Sequence, residues 1–145
     1  MKSVLKWSMS TITAVSMLFG LAAFQKRVDL REQQAIKLAE QFIIDNGYTR
    51  LPADKSKISY YPFPRYENTD SIIVRRYNTL QSKAFCVSED EDRWDVGFLS
   101  ADIDLSKLDS LQRQGNLPGR AVIVMKNGKV SIAHKTPIFS YFKKL

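Results

Sequence analysis

The side chains in this sequence that could do chemistry are a lone histidine, a lone cysteine, a run of carboxylates and several arginines. A hydrolytic triad needs a base held against a nucleophile. His134 stands between Ala133 and Lys135 with no serine or cysteine elbow around it, so it reads as an ordinary strand residue. Cys86 lies between Phe85 and Val87 as the only cysteine, which forbids an intramolecular disulfide and a multi-cysteine metal site. It reads as a small buried hydrophobe rather than a reactive thiol.

The carboxylate run is Glu89-Asp90-Glu91-Asp92. A calcium loop alternates its ligands around a central glycine. That glycine is absent here, and four successive side chains cannot face one ion without a special turn. A glycosidase pair needs a sugar held between its carboxyl groups, and nothing in this sequence positions one. A glycine-rich phosphate loop is also missing. The run therefore reads as a solvated hairpin tip. No catalytic residue, no metal ligand and no cofactor is assigned, and the chain is read as a non-enzyme.

What remains is recognition by charge. The 145 residues carry a formal net charge of +7, with 44% hydrophobic and 26% charged residues, the balance of an ordinary globular chain. The charge is unevenly spread, because Glu89 to Asp109 holds eight acidic residues, whereas everything beyond Asp109 holds seven basic residues and no acidic one. A polarised surface follows. The candidate partner-binding residues are Glu89, Asp90, Glu91 and Asp92 together with Arg75, Arg76, Arg113 and Arg120. Opposed charges of this kind steer a protein partner.

The elements that position these residues begin with a helix. Asp29-Leu30-Arg31-Glu32 has the form of a capping box, and Ala35, Leu38, Ala39, Phe42 and Ile43 recur on one stripe before Asn46-Gly47 supplies a left-handed stop. Residues 51–66 hold Pro52, Pro62 and Pro64 among Tyr60, Tyr61, Phe63 and Tyr66, which forbids a long helix. These aromatics are expected to cover the core edge, with a peptide-binding groove as the sharper alternative. Residues 70–80 are read as a short helix with Asp70 as cap, a stripe of Ile73, Tyr77 and Leu80, and Arg75 and Arg76 in solvent.

Residues 83–88 and 93–99 are read as two strands flanking the acidic run, with Trp94, Val96 and Phe98 alternating inward. Residues 100–117 form a long connection in which Leu105, Leu108 and Leu111 keep a near-helical spacing. Residues 120–125 and 129–134 flank Asn127-Gly128, whose two positive dihedrals predict a tight two-residue hairpin. Ile138, Phe139, Tyr141 and Phe142 follow Pro137 as an apolar tail with no legible role beyond a contact with a membrane surface through Lys143 and Lys144.

Ahead of this domain, Lys2 and Lys6 precede eighteen uncharged residues from Trp7 to Phe24. That is the plan of a signal peptide, with Gly20-Leu21-Ala22 offering small residues for cleavage after Ala22 or Ala23. The alternative is an uncleaved anchor, for which the stretch is barely long enough and is diluted by Ser8, Ser10, Thr11, Thr13 and Ser16. Residues 1–24 are thus a signal peptide or N-terminal membrane anchor, and 25–145 a single domain. Location is exported, periplasmic or secreted, or else held to the inner membrane by residues 7–24. Export removes nucleic acid as a partner. Membrane contact is then expected only through the N-terminal segment, if it is uncleaved.

The segments Ala35-Ile36-Lys37-Leu38-Ala39-Glu40-Gln41-Phe42, Asp45-Asn46-Gly47-Tyr48-Thr49, Arg76-Tyr77-Asn78-Thr79-Leu80, Trp94-Asp95-Val96 and Gly119-Arg120-Ala121-Val122 carry a resemblance. In this order, with Leu51-Pro52 and Lys83-Ala84-Phe85 between them, the chain resembles small exported bacterial proteins with cystatin-like or nuclear-transport-factor-like α+β folds. Toxin-neutralising immunity proteins look similar. The resemblance implies an α+β, cystatin-like fold, one long helix on a curved antiparallel sheet of about four strands. It also implies a non-enzymatic binding protein of the cell envelope, such as an immunity protein. A small-molecule or peptide pocket protein is the alternative. It carries over no catalytic residue.

Overall fold

A helix whose apolar side chains share one stripe must bury that stripe, and here a sheet receives it. The computed structural model describes residues 30–104, 106, 109, 117–133 and 143–145. The leader, Asp29, Leu105, Leu108, Leu111, Arg113, His134 and the aromatic tail 138–142 lie outside the described residues. Helix α1 runs Glu32–Asp45 and α2 runs Thr69–Arg76, with a single 3-10 turn at Lys55–Lys57 between them. The strands are β1 (Cys86–Glu89), β2 (Arg93–Leu99), β3 (Gly119–Met125), β4 (Val130–Ile132) and β5 (Lys143–Lys144). All pair antiparallel in one open sheet of order β4-β3-β2-β1-β5. The α+β class stands, with five strands where about four were expected.

The start of α1 differs from the sequence reading. Arg31, not Asp29, is the residue before the first turn, and its backbone N–H donates to Gln34 Oε1 at 3.2 Å. The reciprocal glutamine contact has moved two residues down the chain. At the other end the expected stop is present: Gly47 takes φ of +80°, a value that costs glycine nothing. Its N–H donates to Ile44 O, and the Tyr48 N–H donates to Ile43 O, so the last carbonyls of the helix are satisfied.

The buried stripe of α1 is Ala35, Ala39 and Ile43, flanked by half-buried Ile36 and Phe42, whereas Leu38 is 37% exposed. The stripe is centred on small residues, which lets the helix lie close to β2, β3 and β4. Against it stand Val87, Trp94, Val96, Phe98, Val122, Val124 and Ile132, the inward positions of four strands. Trp94 has its indole N–H on Leu30 O at 2.8 Å, which ties the sheet to the approach to α1. Cys86, Leu99 and Leu117 form a second, smaller cluster with Phe85 and Ile103.

Helix α2 is capped two residues earlier than the sequence reading placed it, and it ends at Arg76 rather than at residue 80. Asn68 is the cap and accepts from the Asp70 N–H at 2.8 Å, while Asp70 itself lies inside the first turn. Its buried face is Ile72 and Arg76, not Ile73 and Tyr77, and Tyr77 is exposed. The β3–β4 turn is likewise a variant of the one expected. Only Gly128 has a positive φ, of +90°, and Met125 N–H donates to Lys129 O at 2.8 Å across a three-residue connection. No helix among the described residues is long and apolar enough to cross a membrane.

Candidate functional site

The sheet delivers charged side chains to two places. At one end, β1 and β2 close on the acidic run. Asp90 N–H donates to Arg93 O at 2.9 Å, leaving Glu91 and Asp92 at the apex, and all four carboxylates are exposed. Lys126, from the neighbouring β3–β4 turn, reaches Glu89 at 2.9 Å, donates its backbone N–H to Asp92 O at 2.9 Å and lies 5.9 Å from the Trp94 ring. Asp90 stands 3.8 Å from Arg93. The carboxylates of Glu91 and Asp92 make no ion pair among the described residues.

Just below the tip, Asp95 and Arg93 lie two residues apart on β2. Their charges are 3.2 Å apart, yet Arg93 Nε and Asp95 Oδ1 are out of line for a hydrogen bond. Burial pushes the Asp95 carboxyl above its ordinary pKa, Arg93 pulls it down, and Asp90 and Asp92 push it further up. The acidic run thus acts on Asp95 through its field.

The second place lies where Tyr48, just beyond α1, meets α2 and β3. Arg76 was expected in solvent, and it is 2% exposed. Its guanidinium donates through Nη1 to Asn46 O and Asn46 Oδ1, both at 3.3 Å, and through Nη2 to Ser59 O and to Tyr61 O, the latter at 2.9 Å. One side chain so fastens the end of α1, the loop after it and α2 together. The physical reason is plain: the loop carbonyls and the C-terminal end of α1 are partial negative charges that need a donor, and a fork of N–H groups supplies several at once.

The Tyr48 ring lies 4.8 Å from the Arg76 guanidinium carbon and 5.7 Å from that of Arg120, and Phe63 lies 5.5 Å from both Arg75 and Arg76. Three of the four expected arginines therefore gather on two aromatic rings, whereas Arg113 lies outside the described residues. Arg75 is exposed and pairs with Glu67 at 2.6 Å. Arg120 is half-buried and donates to Ala133 O. No carboxylate pairs with Arg76 or Arg120 among the described residues. The Tyr48 hydroxyl and Arg76 Nε are buried and make no well-aligned hydrogen bond there, although Arg76 and Arg120 both bring N–H groups within reach of that hydroxyl. Burial raises the Tyr48 phenol above its ordinary pKa while the Arg76 and Arg120 charges pull it down. Burial lowers that of Arg76, against the pull of Tyr48, and Arg120 lowers it further.

The arginines and the carboxylates do not form one surface. Arg120 pairs with Phe98 near one end of β2, and Met125 pairs with Arg93 at the other. Five residues of extended strand separate them, about 16 Å. Tyr48 and Asn46 went unrecognised as site residues in the sequence, where Asn46-Gly47 read only as a helix stop and Tyr48 only as part of a resemblance. The run of polar residues into a glycine carries no signal that the flanking side chains are buried. Cys86 is 1% exposed and its thiol is pushed up to about 12 by burial, against a backbone hydrogen bond from Gly97. No group of three or more His, Cys, Asp or Glu side chains among the described residues could hold a metal ion. No family model matches the chain, nor does any curated protein or solved structure.

Proposed function

We propose that the chain is a non-enzymatic, exported binding protein of the cell envelope that meets a protein partner with the β1–β2 tip, toxin neutralisation being the specific form its sequence resemblance suggests. The observation that supports this reading is the tip itself. Four successive exposed carboxylates stand on a closed hairpin, and the two at the apex make no ion pair among the described residues. A patch of one sign on a rigid support raises the rate at which an oppositely charged partner arrives. The cystatin-like arrangement belongs to the same proposal, with α1 on one face of the sheet and the hairpin tips left open to a partner. The partner would be a basic protein.

The test is the variant Glu89→Gln/Asp90→Asn/Glu91→Gln/Asp92→Asn, compared with wild type for capture of a partner from envelope extract at low and high salt. Neutralising the tip should slow association and flatten its salt dependence. Unchanged capture at both salts would remove the tip from the interface. Export is tested separately by mass spectrometry of the envelope fraction. A new N-terminus at Ala23 or Phe24 supports cleavage, and an intact Met1 on membrane-bound protein supports the anchor instead.

A further inference from the structure

We infer that Tyr48, Arg76 and Arg120 form a binding site for a small oxoanion, one that presents a carboxylate or phosphoryl oxygen to the Tyr48 hydroxyl and the Arg120 guanidinium. This goes beyond the partner-binding reading and does not use the acidic tip. Its basis is an excess of positive charge and of donors at one point in the fold. Two guanidinium groups lie 4.8 and 5.7 Å from the same ring, and among the described residues neither has a carboxylate partner. Buried charge of one sign is costly unless it is compensated. The carbonyls of Asn46, Ser59 and Tyr61 answer Arg76 Nη1 and Nη2, but they bring no formal charge and leave Nε without an aligned acceptor.

The unsatisfied groups share a chemistry. The Tyr48 hydroxyl can donate, Arg76 Nε–H can only donate, and Arg120 has committed Nη2 to Ala133 O. A buried phenol proton without an acceptor, beside two guanidinium groups that no carboxylate neutralises among the described residues, calls for an anion with several oxygens. A fork of guanidinium N–H groups matches the geometry of a carboxylate or phosphate far better than that of a halide. Tyr48 and Arg76 are each 2% exposed and Arg120 is half-buried, so Arg120 is the member of the three that solvent reaches. An enclosed water could meet one hydrogen bond, but it would not supply the charge.

The experiment measures the thermal midpoint of the full chain at constant ionic strength, with chloride exchanged for acetate in one arm and for inorganic phosphate in the other. Wild type should show a saturable rise in at least one arm, since a ligand that binds only the folded state stabilises it. A rise with acetate alone identifies a carboxylate ligand, and a rise with phosphate alone a phosphoryl one. Arg120→Gln should weaken the apparent affinity by about tenfold or more, the worth of a charge-assisted hydrogen bond. Tyr48→Phe removes only a hydroxyl that no aligned hydrogen bond holds and should stay folded while also weakening the response. No saturable rise in either arm overturns the inference, as does a rise in Tyr48→Phe and Arg120→Gln as large as that of wild type. If Arg120→Gln does not fold, the Tyr48→Phe comparison alone decides.

Discussion

The two charged regions follow opposite rules. At the β1–β2 tip the charges are exposed, consecutive in sequence and held by a hairpin, so their energies are small and their reach is long. Around Tyr48 the charges come from α2 and β3, are buried or half-buried, and bond to carbonyls from three separate segments. There the energies are large and the reach is short. Charge alone therefore says little about what an arginine or a carboxylate contributes. Its burial and the number of acceptors it satisfies decide that.

The sharpest way to break the comparison is Arg76→Ala. It removes the donor to Asn46 O, Ser59 O and Tyr61 O together, and the expected loss is about 3 kcal/mol or more by chemical denaturation. Arg76→Lys should recover only part, because one ammonium cannot span acceptors that a fork reaches. If Arg76→Ala melts like wild type, the buried cluster is no more structural than the tip. Next in size is the helix stripe. Ile43→Ala, at 0% exposure, should cost about 2–5 kcal/mol, and half-buried Phe42→Ala less than a fully buried ring, under about 3 kcal/mol. Equal costs would mean that the stripe is centred elsewhere.

A smaller effect separates Asp95 from the tip. Its raised pKa means that the folded state holds the proton more tightly than the unfolded chain, so stability falls as pH rises from the ordinary carboxyl value through the folded one. Asp95→Asn should therefore raise the midpoint slightly at neutral pH and leave it unchanged near about pH 3, where both forms are protonated. A variant that is destabilised at neutral pH would show that the Arg93 pairing outweighs burial. The smallest effect belongs to the tip, where neutralising Glu89 to Asp92 should move the midpoint by no more than about 0.5 kcal/mol worth of stability. A large loss there would show that the Lys126 and Arg93 contacts are structural after all.

The same contrast explains what was legible beforehand. The Asn46-Gly47 stop, the alternation of Trp94, Val96 and Phe98, and the hairpin around the carboxylates are local patterns in which neighbours in sequence are neighbours in space. The cap of α1 and the buried face of α2 were each displaced by a residue or two. Asp29 and Asp70 have the right side chains for capping, but Arg31 stands at the cap of α1, where Gln34 reaches back to its N–H, and Asn68 caps α2 with the same kind of side-chain oxygen that Asp70 offers. The Arg76 cluster was not legible. An arginine pair on a short helix looks solvated, and its acceptors come from residues 46, 59 and 61, up to 30 positions away. The pairing of β5 with β1 spans more than fifty residues and left no local trace.

That last pairing has a practical consequence. A sheet margin with free N–H and C=O groups is a template onto which another chain can zip. Along β1, Cys86 and Val87 are matched by Lys144 and Lys143, and Leu145 N–H donates to Phe85 O at 3.0 Å. Lys143 is also fixed to Glu32, at the start of α1, at 3.2 Å. The outermost strand is two residues long and both carry a positive charge, so a second copy approaching along this margin meets like charge before it finds any backbone to pair with. Clipping these residues, or fusing a bulky tag that pulls them off, would bare β1 and turn a self-limiting margin into a polymerisation-competent one.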